Sequence, residues 1–240
     1  MERVEVPLVG GRITRGVVRR GDHVLRPCNA NSPFAHETLH WLERKGVGAA
    51  PKFIGLADDG REITSFLKGI APTDLGTYDG RDDWRPSEGQ LFAAGTIIKK
   101  LHEALSDYPG CPDGFTVCHN DLSPCNFMFE NGLPYAVFDW DAAGVGEPVA
   151  DLAYAAWMWS SIGENERTAR QKGREIKTLL DAYGLSKAGR DTLAEKIRGQ
   201  MRRVGKSFAA RGNTDGLRWV RESEDYLIKN EAELSKHFRM

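Results

Sequence analysis

Residues 118–141 read Cys-His-Asn-Asp-Leu-Ser-Pro-Cys-Asn-Phe-Met-Phe-Glu-Asn-Gly-Leu-Pro-Tyr-Ala-Val-Phe-Asp-Trp-Asp. Four polar residues stand out: His119, Asp121, Asn126 and Asp139. Asn126 follows Asp121 by five positions, and Asp139 follows it by eighteen. Two runs with strand character, 127–129 and 135–138, flank a turn at 130–134 that contains Asn131-Gly132, a strong hairpin signal. A hairpin returns the chain on itself. Its two ends, Asn126 and Asp139, are therefore predicted to be neighbours, with Asp121 just upstream. An amide oxygen and a carboxylate at one corner are hard ligands suited to Mg²⁺. A second carboxylate beside them can take a proton from a hydroxyl.

The rest of the chain sets bounds on that corner. Its 240 residues suffice for one large domain or two small ones with a substantial core. The net charge of −1 gives no reason to expect a general polyanion binder. No apolar run reaches the length of a membrane span, and the start, Met-Glu-Arg-Val-Glu-Val, lacks the apolar core of a signal peptide, so the cytoplasm is the expected location. The four cysteines, Cys28, Cys111, Cys118 and Cys125, form no tight Cys-x-x-Cys pair and read as ordinary thiols.

Ahead of the corner, 5–9, 16–19 and 23–26 read as short strands, with a Gly-rich turn at 10–16 whose backbone N–H groups, Thr14 among them, are placed to cover phosphates. Arg26 ends the third strand as a fork of donors suited to phosphate. A helix opens at Ser32-Pro33, with Ser32 as its N-cap, and stops near Gly46. Within it, His36-Glu37-Thr-Leu-His40 fits H-E-x-x-H, so zinc chemistry is weighed as an alternative. Two more strands, 52–56 and 62–66, precede a loop-like stretch at 71–86. There Asp74, Asp79, Asp82, Asp83 and Trp84 sit. Ser87 with Gln90 forms a capping box ahead of an apolar seam at Leu91, Ala94, Ile98, Leu101 and Leu105. The remainder reads as helical. Residues 187–211 hold eight basic against two acidic side chains, read as a solvated face balanced by the acid-rich helix after it.

The His-x-Asp-x-x-x-x-Asn of 119–126, followed by Phe138-Asp139-Trp140-Asp141, resembles the catalytic loop and metal-binding Asp of protein kinases. In detail it is more similar to the aminoglycoside phosphotransferase and choline kinase branch. Asn120 stands where protein kinases carry Arg, and Trp140-Asp141 where they carry Phe-Gly. Glu37-Thr-Leu-His-Trp-Leu, Leu101-His102 and Pro148-Val-Ala-Asp151-Leu-Ala match further motifs of that branch.

The resemblance implies an α+β, bilobal protein-kinase-like fold. The small N-terminal lobe, 1–67, would bind nucleotide with an antiparallel sheet and one helix, and the larger helical lobe, 68–240, would hold the catalytic and acceptor sites. It implies transfer of the γ-phosphate of ATP, with Mg²⁺, to a hydroxyl of a small molecule, with no nucleic acid or membrane partner. Asp121 would be the catalytic base, and Asn126 and Asp139 the metal ligands. Arg26, where the family has Lys, would hold phosphates with Glu37 as its partner. Ser65 and Leu67 would offer hinge backbone to adenine, and His119 and Asp151 would brace the loop. The departure at Arg26 keeps open a nucleotide-binding protein with impaired catalysis. The H-E-x-x-H segment keeps open a zinc hydrolase using His36, Glu37 and His40.

Overall fold

Short runs that alternate inward and outward, broken by turn residues, build an antiparallel sheet from the N-terminal part of the chain. The computed structural model describes residues 4–8, 16–72, 84–164 and 167–239. Its first strands are β1 (Val6–Pro7), β2 (Val18–Arg20), β3 (His23–Arg26), β4 (Phe53–Leu56) and β5 (Glu62–Ser65), in the order β1-β2-β3-β5-β4. In the β3–β5 ladder Arg26 lies opposite Glu62 and Leu25 opposite Ile63. Helix α1 (Ser32–Arg44) crosses between β3 and β4 and buries Ala35, Thr38, Leu39 and Leu42. Its N-cap position is Asn31 rather than Ser32. The Asn31 amide makes no cap and instead donates to the carbonyls of Asp141 (2.9 Å) and Ala143 (3.0 Å). The start of α1 is thereby tied to the segment after the polar corner.

The remainder is mostly helical, as expected. Helix α2 (Glu88–Leu105) begins at the Ser87–Gln90 capping box and turns the expected apolar seam inward. Strands β6 (Thr116–Cys118), β7 (Phe127–Glu130), β8 (Leu133–Val137) and β9 (Gly144–Gly146) form two small pairs, β6 with β9 and β7 with β8. The β7–β8 hairpin is tighter than the sequence suggested. Its loop is only Asn131 and Gly132, both at positive φ (51° and 81°). Two such residues in succession are what a type I′ turn requires, so the strands extend to Glu130 and Leu133.

Helix α3 (Pro148–Trp159) is buried on nearly every side, which its Leu-Ala-Tyr-Ala-Ala-Trp run demands. Trp140, Trp157, Trp159, Phe127 and Phe129 make the bulk of the core beside it. Around these wrap α4 (Ala169–Tyr183), α5 (Lys187–Ala210) and α6 (Thr214–Phe238). Some of the basic side chains of α5 are matched by carboxylates, two of them on the acid-rich helix after it. Arg198 pairs with Glu231 at 2.6 Å, Arg202 with Glu224 at 3.3 Å, and Lys196 with Glu147. None of the helices described is long and apolar enough to cross a membrane. The four cysteines are free.

Helices α2 and α4 approach closely at Gly95. A Cβ there would lie 2.3 Å from the Leu179 carbonyl oxygen and 2.9 Å from the Ala182 Cβ. Gly199 in α5 has nothing within 4 Å of the same position. We expect Gly95→Ala to lower unfolding free energy by ~1–3 kcal/mol through overpacking. Gly199→Ala should raise it by up to ~1 kcal/mol through helix propensity. Urea midpoints of the two variants check both signs.

Candidate active site

The polar residues singled out in 118–141 meet where three short pieces of backbone converge. Strand β6 delivers His119, a 3-10 turn over Pro124–Asn126 delivers Asn126, and the end of β8 delivers Asp139. The Phe138 amide donates to the Asn126 carbonyl at 2.9 Å, which sets the two ends of the hairpin side by side as the turn chemistry predicted. The Asn126 side chain donates to the Asp121 carbonyl at 2.9 Å, which fixes its carboxamide plane. At the site itself, Asn120 (φ 64°) and Asp139 (φ 65°) sit in the left-handed region without being glycine. Asn and Asp tolerate that conformation best, and such strain concentrates at functional sites.

Two groups brace the turn. His119 donates from Nε2 to the Phe138 carbonyl (3.0 Å) and accepts the Asp121 amide on Nδ1 (3.3 Å), which fixes the plane of the ring. Asp151, in the first turn of α3, is fully buried. It accepts the backbone amides of His119 and Asn120, each at 2.8 Å, and His102 Nε2 at 3.1 Å. Burial alone would raise its pKa. The His102 hydrogen bond and the charges and amide around it outweigh that, and hold the carboxyl below the usual carboxylate range. Asp151 is thus no helix cap; it is the point to which the turn is fastened.

Asp121 receives the Tyr154 hydroxyl at 2.7 Å and the Ser123 hydroxyl at 3.2 Å, both on Oδ1. Burial, and then the Asp121 charge, push the Tyr154 phenol well above its ordinary pKa, so it remains a donor. Nothing in the sequence distinguishes Tyr154 from the apolar residues around it. Its role depends on which way one side of α3 faces.

Across the cleft from Asp121 stands Arg26. Its Nε donates to Glu62, its Nη1 to Asp139 at 2.8 Å and its Nη2 to Asp141. Burial would lower the guanidinium pKa. The charges of Asp141, Glu62 and Asp139 more than offset this and hold it above its ordinary value. Burial pushes the Asp141 carboxyl up, against the pull of Arg26. A cleft of about 1410 Å³ runs between the two sides, with Val24, Arg26 and Thr64 on one wall and Asp121, Asn126 and Asp139 on the other.

Several expected placements differ. Glu37 does not meet Arg26; its Oε2 accepts the Tyr108 hydroxyl at 3.1 Å. One step along a helix turns a side chain by about 100°. The residue of α1 that faces β5 is therefore His36, which bonds Glu62. His36 and His40 both pack on Phe53, at 3.8 Å stacked and 5.2 Å edge-on, while Glu37 faces away. The H-E-x-x-H segment therefore does not assemble a zinc hydrolase centre. Among the described residues, His36 instead comes near Cys28 and Glu62.

At the hinge, the Ser65 amide is already bonded to the Lys52 carbonyl (2.9 Å), and the Phe66 amide to the Asp22 carbonyl (2.9 Å). Ser65 and Leu67 both line the cleft. Thr14, and Asp74, Asp79, Asp82 and Asp83 of the loop-like stretch, lie outside the described residues. Trp84 belongs to the core, edge-on to Phe129 at 5.8 Å.

Residues 110–195 match the phosphotransferase enzyme family. The trifolitoxin immunity protein of Rhizobium leguminosarum bv. trifolii is 27% identical over 216 residues, an alignment covering 80% of this chain and 79% of that protein. Among solved structures, the amicoumacin kinase hAmiN in complex with AMP-PNP, Ca²⁺ and Ami superposes with a TM-score of 0.64 at 15% identity, covering 85% of this chain and 81% of that one. A choline/ethanolamine kinase family protein from Mesorhizobium loti gives a TM-score of 0.61 at 19% identity over 98% and 93% of the two chains. The GDP complex of aminoglycoside 2′-phosphotransferase-IIIa gives 0.61 at 13% identity over 97% and 93%. The sheet-plus-helix lobe and the helical lobe are therefore those of the protein-kinase-like fold, and the part of it that matches the phosphotransferase enzyme family is residues 110–195.

Proposed function

We propose that this protein transfers the γ-phosphate of ATP to a hydroxyl group of a small molecule. The observation that supports this best is the shared cleft, with Asp121, Asn126 and Asp139 on one wall and the Arg26 guanidinium facing them. Residues 1–67 form the nucleotide side in this reading and 68–240 the catalytic and acceptor side. Catalysis of phosphoryl transfer is mostly positioning and charge neutralisation.

Asp121 is the base. The bonds from Tyr154 and Ser123 both fall on Oδ1, which orients the carboxylate and leaves Oδ2 for the acceptor hydroxyl. The Asn126 carboxamide and the Asp139 carboxylate are the hard oxygen donors that Mg²⁺ takes. Their setting fits a divalent ion: Glu62, Asp139 and Asp141 against Arg26 leave two negative charges uncompensated. When bound, the ion would draw charge from the phosphate oxygens as the transferring bond breaks. Arg26 holds phosphate oxygens through its fork, and Leu67, with Ser65 beside it, offers hinge backbone to the base. The pairing of Arg26 with Asp139 favours one second reading, a protein that binds nucleotide without turnover.

The acceptor is to be found by screening hydroxyl compounds for ADP production. Aminoglycosides, choline, amicoumacin and trifolitoxin belong in the first panel, after the proteins this chain resembles. We expect Asp121→Ala and Asp139→Asn each to abolish ATP-dependent phosphorylation, with circular dichroism and unfolding midpoint retained. Full activity in either variant would overturn the assignment. ATP binding with no ADP from any acceptor would favour the second reading.

The fastening of the loop has its own pH signature. The folded pKa of Asp151 is depressed, so its contribution to stability is fully present above the unfolded value, near pH 4, and is lost as pH falls through the folded value. The stability gap between wild type and Asp151→Asn should therefore be wide at pH 7 and narrow below about pH 4, measured by urea unfolding across that range.

A further inference from the structure

The group that anchors Arg26 is a strand carboxylate, Glu62, held in turn by His36, and no helix glutamate takes part. We propose that Glu62 and His36 are the positioning residues for the phosphate-holding cation of this chain, an inference that rests on the functional reading above. Arg26 and Glu62 are direct partners in the antiparallel β3–β5 ladder, so their side chains leave the sheet on the same face. Glu62 is 1% exposed. A carboxylate buried to that degree is stable only if its oxygens are matched, and both are: Oε1 takes Arg26 Nε and Oε2 takes His36 Nε2. The His36 ring is fixed by stacking on Phe53, with planes 10° apart. Glu37, one residue on, is turned away and engaged by Tyr108.

This anchoring also accounts for an arginine at position 26. Three separate nitrogens of one guanidinium meet three carboxylates, Glu62 on β5 and Asp139 and Asp141 beyond β8. A lysine ammonium is a single nitrogen on a flexible stem and cannot span that set in one plane. Glu62 aims the planar fork from behind, and the remaining donors point at the metal-binding corner. The link between α1 and the cation therefore runs His36, Glu62, Arg26, with the His36 ring held against Phe53 of β4.

The test has one arm without ligand and one with it. In urea unfolding of the ligand-free protein, double-mutant cycles are expected to show coupling for Arg26→Met with Glu62→Gln, and for His36→Asn with Glu62→Gln. Arg26→Met with Glu37→Gln should be additive. In the second arm, Glu62→Gln and Arg26→Lys should each weaken Mg-ATP binding about tenfold or more while leaving adenosine binding within about threefold. Glu37→Gln should leave both within about threefold. A merely structural role for Glu62 would weaken ATP and adenosine equally. That result, or coupling between Arg26 and Glu37, or unchanged Mg-ATP affinity in Glu62→Gln, overturns the proposal. A wild-type protein that binds no Mg-ATP overturns the functional reading instead, and the ligand-free cycles still decide how Arg26 is anchored.

Discussion

The site depends first on the buried carboxylate of Asp151. A charge with no solvent access is tolerated only when its oxygens are filled, and here two backbone amides of the polar turn and a histidine fill them. Those amides belong to His119 and Asn120, and Asn120 holds the left-handed conformation that swings Asp121 toward the cleft. The strain in the turn, the orientation of Asp121 and the seating of α3 are thus parts of one hydrogen-bonded arrangement. His119, bonded across to the Phe138 carbonyl, extends it to the far end of the hairpin.

The second organising charge is Arg26, and it acts between lobes where Asp151 acts within one. Its guanidinium spans from a strand of the N-terminal sheet to two aspartates beyond the hairpin, and the Asn31 amide makes a parallel link to the Asp141 and Ala143 carbonyls. In a partly buried cleft such contacts act at a lower effective dielectric than on the surface, so they fix relative placement as well as charge. Both links end within a few residues of Asp139. The geometry of the Asp121–Asn126–Asp139 corner is therefore tied to the N-terminal sheet through side chains as well as through the connecting chain.

The paired charges of the outer helices contrast with this. The basic side of α5 looks like an interaction surface in one dimension, yet Lys196, Arg198 and Arg202 are met by Glu147, Glu231 and Glu224. Exposed pairs of this kind add little stability. Their consequence here is that the charge pattern of α5 belongs to the packing of neighbouring helices.

Much of the corner was legible in sequence, because the spacing of Asp121, Asn126 and Asp139 is short-range and an Asn-Gly turn has few conformations. The Ser87–Gln90 capping box, the seam of α2 and the lobe composition were readable for the same reason: local preference and periodicity decide them. The residues that position the corner were not. Glu62 is opposite Arg26 only because β5 pairs with β3 in that register; the one hint was a charged residue at an inward position of a short strand. Tyr154 reaches Asp121 only because α3 presents that side to the loop, and Glu37 misses Arg26 because one helical step separates it from His36. Sequence alone determined which polar groups stand in the corner and how near they lie along the chain. Tertiary structure alone decided their partners, since register and helix rotation are set by contacts between segments far apart in sequence.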